Sequence, residues 1–568
     1  MPVGRFMLVL HSHMPYVLSH GKSPHGTDWL TEAAAECYLP LLHTLDRLVN
    51  LGIKPRWTVN IVPILAEQLA DEAFKSEFEA YCQAKIDFAI EDQKKFAGQG
   101  ELMMEGTAAL WQRIYTRSLV QFKHQWGRDI VGAFRHFQDS GAIEIVTSGA
   151  THGYQPLLGT DESARAQIEV GVQSYERHFG RKPRGIWLPE CAYRPRYAWK
   201  SPVGSAEMPW ERRGTEELVK AAGLDYFFVD SHMIRGGMPL GTYGANFPQL
   251  AEMFARSSKY FTPPEEFRSE YEHYALFNGV TVFARDPQTT VKVWSGESGY
   301  PGDEYYLEFH KQLYPGRLRY WRISQNKADL GQKAPYDPYQ AFERIRGHAD
   351  DLVRTLKSTL ATYKGLADRM GTLVAMYDTE LFGHWWWEGP EFLYEFYRAL
   401  QADGSLEMVS GSDVLDAEPP RHAIALPEGS WGEGGYHFIW VNDENVWTYE
   451  KLYAAERKLR QMARDYDGGP AHEIVIQAAR EVLLAESSDW QFLISTFSAK
   501  DYAEIRFQDH IERFGRLAAL ADKVHGGGTP NGEEAAFLLD CREKDAPFEK
   551  LDLALWKPFD SGEPPAVR

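Results

Sequence analysis

In Arg5-Phe6-Met7-Leu8-Val9-Leu10-His11-Ser12-His13, five apolar residues run straight into three polar ones. Such a run suits a strand buried on both faces, as in a parallel sheet covered by helices. Six more runs behave alike. Residues 57–59 end at Asn60, and 143–147 lead into Ser148, Thr151 and His152. Residues 185–189 end at Glu190, 224–229 at Asp230, 281–284 at Arg285 and 372–377 at Asp378. Helical patterns separate several of them. Residues 163–179 follow Thr160-Asp161, whose oxygens can cap a first turn, and stop at Gly180 and Pro183. Residues 215–222 read as a short helix with Thr215 as N-cap and Gly223 as stop. Strand alternating with helix predicts a parallel α/β sheet, and seven runs predict an incomplete (β/α)7 barrel. Barrel chemistry sits at the C-terminal strand ends, where the His, Glu, Asp and Arg residues fall.

Outside this alternation, residues 62–140 are helical in pattern and charged, which predicts a helical subdomain inserted after the second strand. Residues of about 231–280 and 294–345 are rich in Gly, Pro and aromatics, and read as lids or walls over the barrel mouth. After Pro419-Pro420 comes the Gly-rich Trp431-Gly432-Glu433-Gly434-Gly435, then helical periodicities at 448–466, 471–484 and 499–525. The expected organisation is a catalytic barrel over 1–61 and 141–420, the insertion, and a C-terminal helical domain over 421–568 that lends a loop to the active site. The tail beyond Gly526 reads as poorly ordered at its end.

Composition removes several function classes. The 568 residues carry 61 Lys and Arg against 80 Asp and Glu, a formal net charge of −19 that argues against a nucleic-acid partner. No apolar stretch is long enough to span a membrane, and residues 1–16 lack the pattern of a secretory signal. Cys37, Cys82, Cys191 and Cys541 show no metal spacing or disulfide framework. A cytoplasmic enzyme is the expectation. Gly432-Glu433-Gly434-Gly435 opens no βαβ unit, so no nucleotide site is expected. Aromatics make up 13% of the chain, including 17 Trp; much of this is packing, and part of it suits a binding surface.

Glu190 and Asp378, at two strand ends among aromatic neighbours, form the carboxyl pair that glycoside chemistry requires. Glu380 is two residues past Asp378; on a strand both would share a face, and like-charge repulsion from Glu380 would raise the Asp378 pKa. Residue types alone do not choose the acid/base between them. His11 and His13, at the same spacing, read equally as metal ligands or as sugar-hydroxyl partners, with His152, His232 or His384 completing either set. Arg285 joins the candidate binding residues. Trp294, Trp431, Trp440 and the run Trp385-Trp386-Trp387 lie in or beside turn-rich segments, where indole faces suit stacking on pyranose rings.

Together these motifs resemble glycoside hydrolase family 57, and within it the branching group. The resemblance rests on His11-Ser12-His13-Met14-Pro15, Ser148-Gly149-Ala150-Thr151-His152-Gly153-Tyr154, Trp187-Leu188-Pro189-Glu190, Tyr377-Asp378-Thr379-Glu380-Leu381-Phe382-Gly383-His384 and residues 431–449, in that order. It implies a retaining mechanism on α-1,4-glucan donor and acceptor chains, with Glu190 as nucleophile and Asp378 as acid/base, forming α-1,6 branches. It implies no cofactor and no metal, so that His11, His13 and His152 bind sugar. Glu380, which the residues alone leave as a pKa tuner, an orienting group or a sugar-hydroxyl partner, and His384 join the candidate binding residues. It casts Trp294, Trp431 and Trp440 as an aromatic wall, and Tyr243 as the loop tyrosine favouring transfer over hydrolysis. A 4-α-glucanotransferase or an α-amylase of the same family is the nearest alternative. Beyond it stand a metal-dependent deacetylase or mannosidase and a non-catalytic glucan-binding protein. The expected assembly is a monomer or small homo-oligomer. The loops at 20–29 and 199–213 have no place in the family pattern.

Overall fold

A computed structural model of the chain describes residues 2–203, 209–237, 239–240, 249, 252–254, 268–325 and 328–559. Each of the seven apolar runs contains a strand. These are β1 (Gly4–Ser12), β2 (Trp57–Ile61), β3 (Ile143–Ser148), β4 (Gly185–Trp187), β7 (Tyr226–Val229), β9 (Thr281–Ala284) and β10 (Thr372–Asp378). They lie in the order β10-β1-β2-β3-β4-β7-β9, all parallel. One parallel bridge, Arg285 to Val374, ties β9 back to β10, so the sheet curls almost into a closed barrel. Two short strands extend it: β8 (Tyr274–Ala275), antiparallel to β9, and β11 (Leu406–Met408), beside the start of β1. A separate hairpin, β5 (Tyr197–Trp199) with β6 (Trp210–Arg212), occupies the stretch read as a loop.

Register decides what stands together at the mouth. His11 pairs with Asp378 across β1 and β10, and with Asn60 across β1 and β2, so three strand ends present Asp378, His11 and Asn60 side by side. The helix Asp161–Phe179 starts as expected, with the Thr160 hydroxyl accepting from the Ser163 N–H, and ends on left-handed Gly180. The helix Thr215–Ala221 differs by one residue: Gly214 is its cap, and the Glu217 carboxylate accepts the Gly214 N–H.

The long helices Glu72–Gln99 and Leu102–Val120 pair with each other and pack against the segment after Tyr300. Trp111 Nε1 donates to the Arg319 carbonyl at 2.6 Å, and Lys85 Nζ to that of Gly316 at 2.9 Å. That segment ends earlier than expected, because the helix Pro338–Ala367 begins inside it.

The C-terminal region contains the three expected helices, Val446–Asp465, His472–Ala485 and Lys500–His525. Two more were missed: Ser488–Thr496 and Gly532–Lys544. Beyond Gly526 the described residues pack on the rest of the chain: Phe548 and Trp556 are buried, and Arg165 donates to the carbonyls of Leu555 and Lys557. Residues 560–568 lie outside the described part. Among the described residues no helix is long and apolar enough to cross a membrane.

Candidate active site

The site grows from the ends of β1, β3, β4 and β10. Glu190 lies just past β4, in a tight turn where its backbone is left-handed (φ 61°, ψ 26°), and Cys191 follows with φ 49°. His152, after β3, is also left-handed at φ 61°. Such angles cost a non-glycine residue about 1–3 kcal/mol and collect at functional sites.

The histidines converge. His11 stacks on Trp187 at 4.6 Å and on His152 at 4.9 Å, and His13 stacks on His152 at 4.0 Å. Asn60 fixes the His11 tautomer. Its Nδ2 donates to the carbonyls of Val146 and Thr147, so its Oδ1 must accept, and His11 Nδ1, 2.7 Å away, carries the proton. His11 Nε2 is then an acceptor. Burial, and then the charge of His13, holds His11 far below the usual imidazole range despite the Asn60 bond. Burial with the two neighbouring imidazoles does the same to His152.

The C-terminal region closes the cluster. From the first turn of Ser488–Thr496, Ser488 Oγ meets His152 Nδ1 at 2.9 Å and Asp489 Oδ2 meets His13 Nε2 at 2.7 Å. Sequence reasoning missed both. The only signal was Ser487-Ser488-Asp489 before Trp490, which reads as an ordinary capped helix start.

Trp431 is anchored to Glu190 twice. Its backbone N–H donates to the Glu190 carbonyl at 3.1 Å, and its indole N–H to Oε2 at 2.7 Å. Arg285 lies over the Trp431 ring at 5.3 Å and donates to Asp230 at 2.5 Å. Arg285, Trp294, Tyr377, Asp378 and Trp431 line one cavity.

Burial pushes Glu190 up to about 8, with Asp378 and Asp489 adding repulsion and the Trp431 bond opposing. Burial pushes Asp378 up to about 7, against the pull of His13 and Arg285. Each carboxyl is thus raised, chiefly by burial, into the range where it holds a proton near neutrality. Glu380 does not lift Asp378 as expected; burial does. The strand ends at Asp378, and Glu380 turns away in a helical turn, accepting from Tyr38 Oη at 2.5 Å and the His13 N–H at 3.3 Å. Glu380 itself is raised to about 8, by burial and in smaller part by Asp378.

A family model described as glycosyl hydrolase family 57 matches residues 7–427 of this chain. The chain belongs to that family. A second model, for the C-terminal part of 1,4-α-glucan branching enzymes, matches residues 451–556. The chain is 39% identical over 567 residues to the 1,4-α-glucan branching enzyme of Thermococcus kodakarensis, covering 99% of this chain and 80% of that protein. The family 57 branching enzyme structure from Pyrococcus horikoshii superposes with a TM-score of 0.88 at 38% identity, covering 99% of this chain and 98% of that one. The α-amylase AmyC of Thermotoga maritima superposes at 0.82 with 28% identity, covering 98% of this chain and all of that one (100%).

Against this family 57 frame, two expected sugar contacts do not join the cluster. Trp440 is fully buried, stacked on Tyr154 at 4.4 Å, and so packs beneath the Gly-rich loop instead of lining a wall. Gly432 sits so close that a Cβ there would meet the Trp440 ring at 2.6 Å. His384 turns its Nδ1 to buried Glu36 at 3.3 Å, apart from the other imidazoles. His232 is also apart, 3.1 Å from the Gly435 carbonyl. The tryptophan run is split: Trp386 is buried, Trp387 packs on Trp111, and Trp385 is exposed and edge-on to Trp294 at 5.9 Å. Tyr243 lies outside the described residues.

Proposed function

We propose that the chain is a 1,4-α-glucan branching enzyme in which Glu190 is the nucleophile and Asp378 the acid/base. The observation that carries the reading is a pair of largely enclosed strand-end carboxyls, both raised by desolvation, with an indole N–H on Glu190, in a chain whose curated relatives are branching enzymes. Glu190 attacks C1 of an α-1,4-linked glucose while Asp378 protonates the departing O4, leaving a covalent glucosyl ester. Asp378 then takes the proton from a C6 hydroxyl of the acceptor, whose oxygen displaces Glu190 and forms the α-1,6 bond. The roles need charge on Glu190 and a proton on Asp378, the reverse of the order about 8 and about 7 in the free chain. The Trp431 N–H favours the charge on Glu190, and bound glucan has to supply the rest of the exchange. His11 Nε2 serves as an acceptor of a sugar hydroxyl. The histidines act as sugar partners in this reading; His13, His152 and Asp489 also bring one possible ligand atom each within 4.8 Å of one another, so activity that survives a chelator is what separates sugar binding from a metal.

The reading carries with it a cytoplasmic enzyme of α-glucan storage, acting as a monomer or small homo-oligomer. It divides the chain into a barrel over 1–61 and 141–420, the inserted helices at 62–140 and the C-terminal domain from 421. Incubation with amylose followed by debranching and sizing of the released chains tests it. New α-1,6-linked chains are expected. Shortened linear products alone would make the chain an amylase, and redistributed linear chains a 4-α-glucanotransferase.

A further inference from the structure

Trp431 reaches Glu190 from the tip of a Gly-rich loop, and glycines alone do not hold a loop still. Its base is closed by one pair, a buried histidine and a largely enclosed glutamate. Glu428 directly precedes Gly429, and His437 follows shortly after Gly435; His437 Nε2 lies 2.9 Å from Glu428 Oε1. Glu428 also accepts from Tyr197 Oη at 3.0 Å. A carboxylate only accepts, so Nε2 carries the proton and Nδ1 is left to accept the Tyr154 O–H, 2.8 Å away. Tyr154 belongs to the barrel, two residues beyond His152, and Trp440 covers its ring. On the other side Tyr436 stacks on His437 at 4.0 Å. Burial pushes the Glu428 carboxyl up, but the His437 and Tyr197 bonds carry it below its ordinary value, as for a carboxylate kept charged by its partners.

We propose that His437 is a positioning residue that staples the two ends of this loop and hangs it on Tyr154, so that the Trp431 indole stays on Glu190. The proposal rests on Glu190 being the nucleophile. It concerns no group that touches substrate, and it accounts for a largely enclosed His-Glu pair that the catalytic chemistry leaves unused.

A double-mutant cycle between His437 and Trp431 tests it on the full chain. His437→Phe keeps the ring stack and removes both nitrogen contacts. It is expected to lower kcat/KM on amylose roughly tenfold and to move the acidic limb of the pH profile upward, as Trp431→Phe does. The double variant should then fall no further than Trp431→Phe alone, and His437→Gln, which can still donate to Glu428, should recover part of the loss. Additive losses, or an acidic limb that His437→Phe leaves in place, would overturn the proposal. Tyr154→Phe removes a single hydroxyl and carries the same cycle if His437→Phe does not fold; wild-type kinetics in it would also overturn the proposal. Glu190→Gln is assayed in parallel: turnover there refutes the nucleophile reading, whereas inactivity beside an additive cycle refutes only the staple.

Discussion

Replacing Trp431 with Phe removes one hydrogen bond from the site and leaves an aromatic ring in place. The indole N–H sits 2.7 Å from Glu190 Oε2, between a buried ring and a carboxylate that is largely enclosed. A bond to a charged group is worth about 1.5–3 kcal/mol. At 1.36 kcal/mol per pKa unit, its loss raises the Glu190 pKa by about 1–2 units. The sign follows from the role. The nucleophile must be ionised, so a higher pKa lowers the reactive fraction at any given pH, and the acidic limb moves upward. At a fixed pH on that limb the loss is about 10- to 150-fold. The assay is kcat/KM on amylose across pH, because kcat/KM reports the ionisations of the free enzyme. A melting curve on the same sample separates this from unfolding. If only KM rises and the limb stays in place, Trp431 is merely a sugar-stacking surface and the assignment of its N–H to Glu190 fails.

Asp489→Asn keeps the side-chain shape but removes the charge facing His13. It is expected to lower kcat/KM by about 10- to 150-fold with an unchanged melting temperature; full activity would exclude Asp489 from the site. Asp545 is fully buried yet held well below its ordinary pKa: burial opposes this, and His20, His510 and Arg513 overcome it. A depressed carboxyl contributes stability that is full above its unfolded value of about 3.9 and is lost as pH falls below it. The melting temperature of the wild type should therefore drop below about pH 4, and Asp545→Asn should be less stable at neutrality with a flatter acidic slope; parallel slopes would refute the assignment. Tyr243→Ala should raise the release of reducing ends relative to new branches, and an unchanged ratio removes Tyr243 from the transfer step.

The barrel was legible because its strands are buried on both faces and so read as unbroken apolar runs that stop where the mouth begins. Glu190 and Asp378 were legible for the same reason: each is the first charge after such a run. The residues that orient them were not. Asn60 gains its meaning from register with His11, and Asp489 from a helix that the chain reaches more than a hundred residues after Asp378. Neither relation leaves a local pattern. The helix Gly532–Lys544 was also missed, and Trp556 beyond it is fully buried.

Trp294 and Trp440 show where composition stops being informative, and they can be told apart by experiment. Both lie near Gly-rich sequence and both read as wall residues. Trp294 is half-buried, lines the cavity with Asp378 and Arg285, and meets exposed Trp385 edge-on. Its loss to Ala should raise KM for amylose and leave the melting temperature nearly unchanged. Trp440 is fully enclosed and stacked on Tyr154 under the loop that carries Trp431. Trp440→Ala opens a cavity costing about 3–5 kcal/mol, so it should lower the melting temperature clearly. It should also depress kcat, because the loop above it no longer holds Trp431 on Glu190. A Trp440 variant with wild-type melting and a raised KM alone would return it to the wall, and would mean that the loop is open to glucan where the structure has it closed.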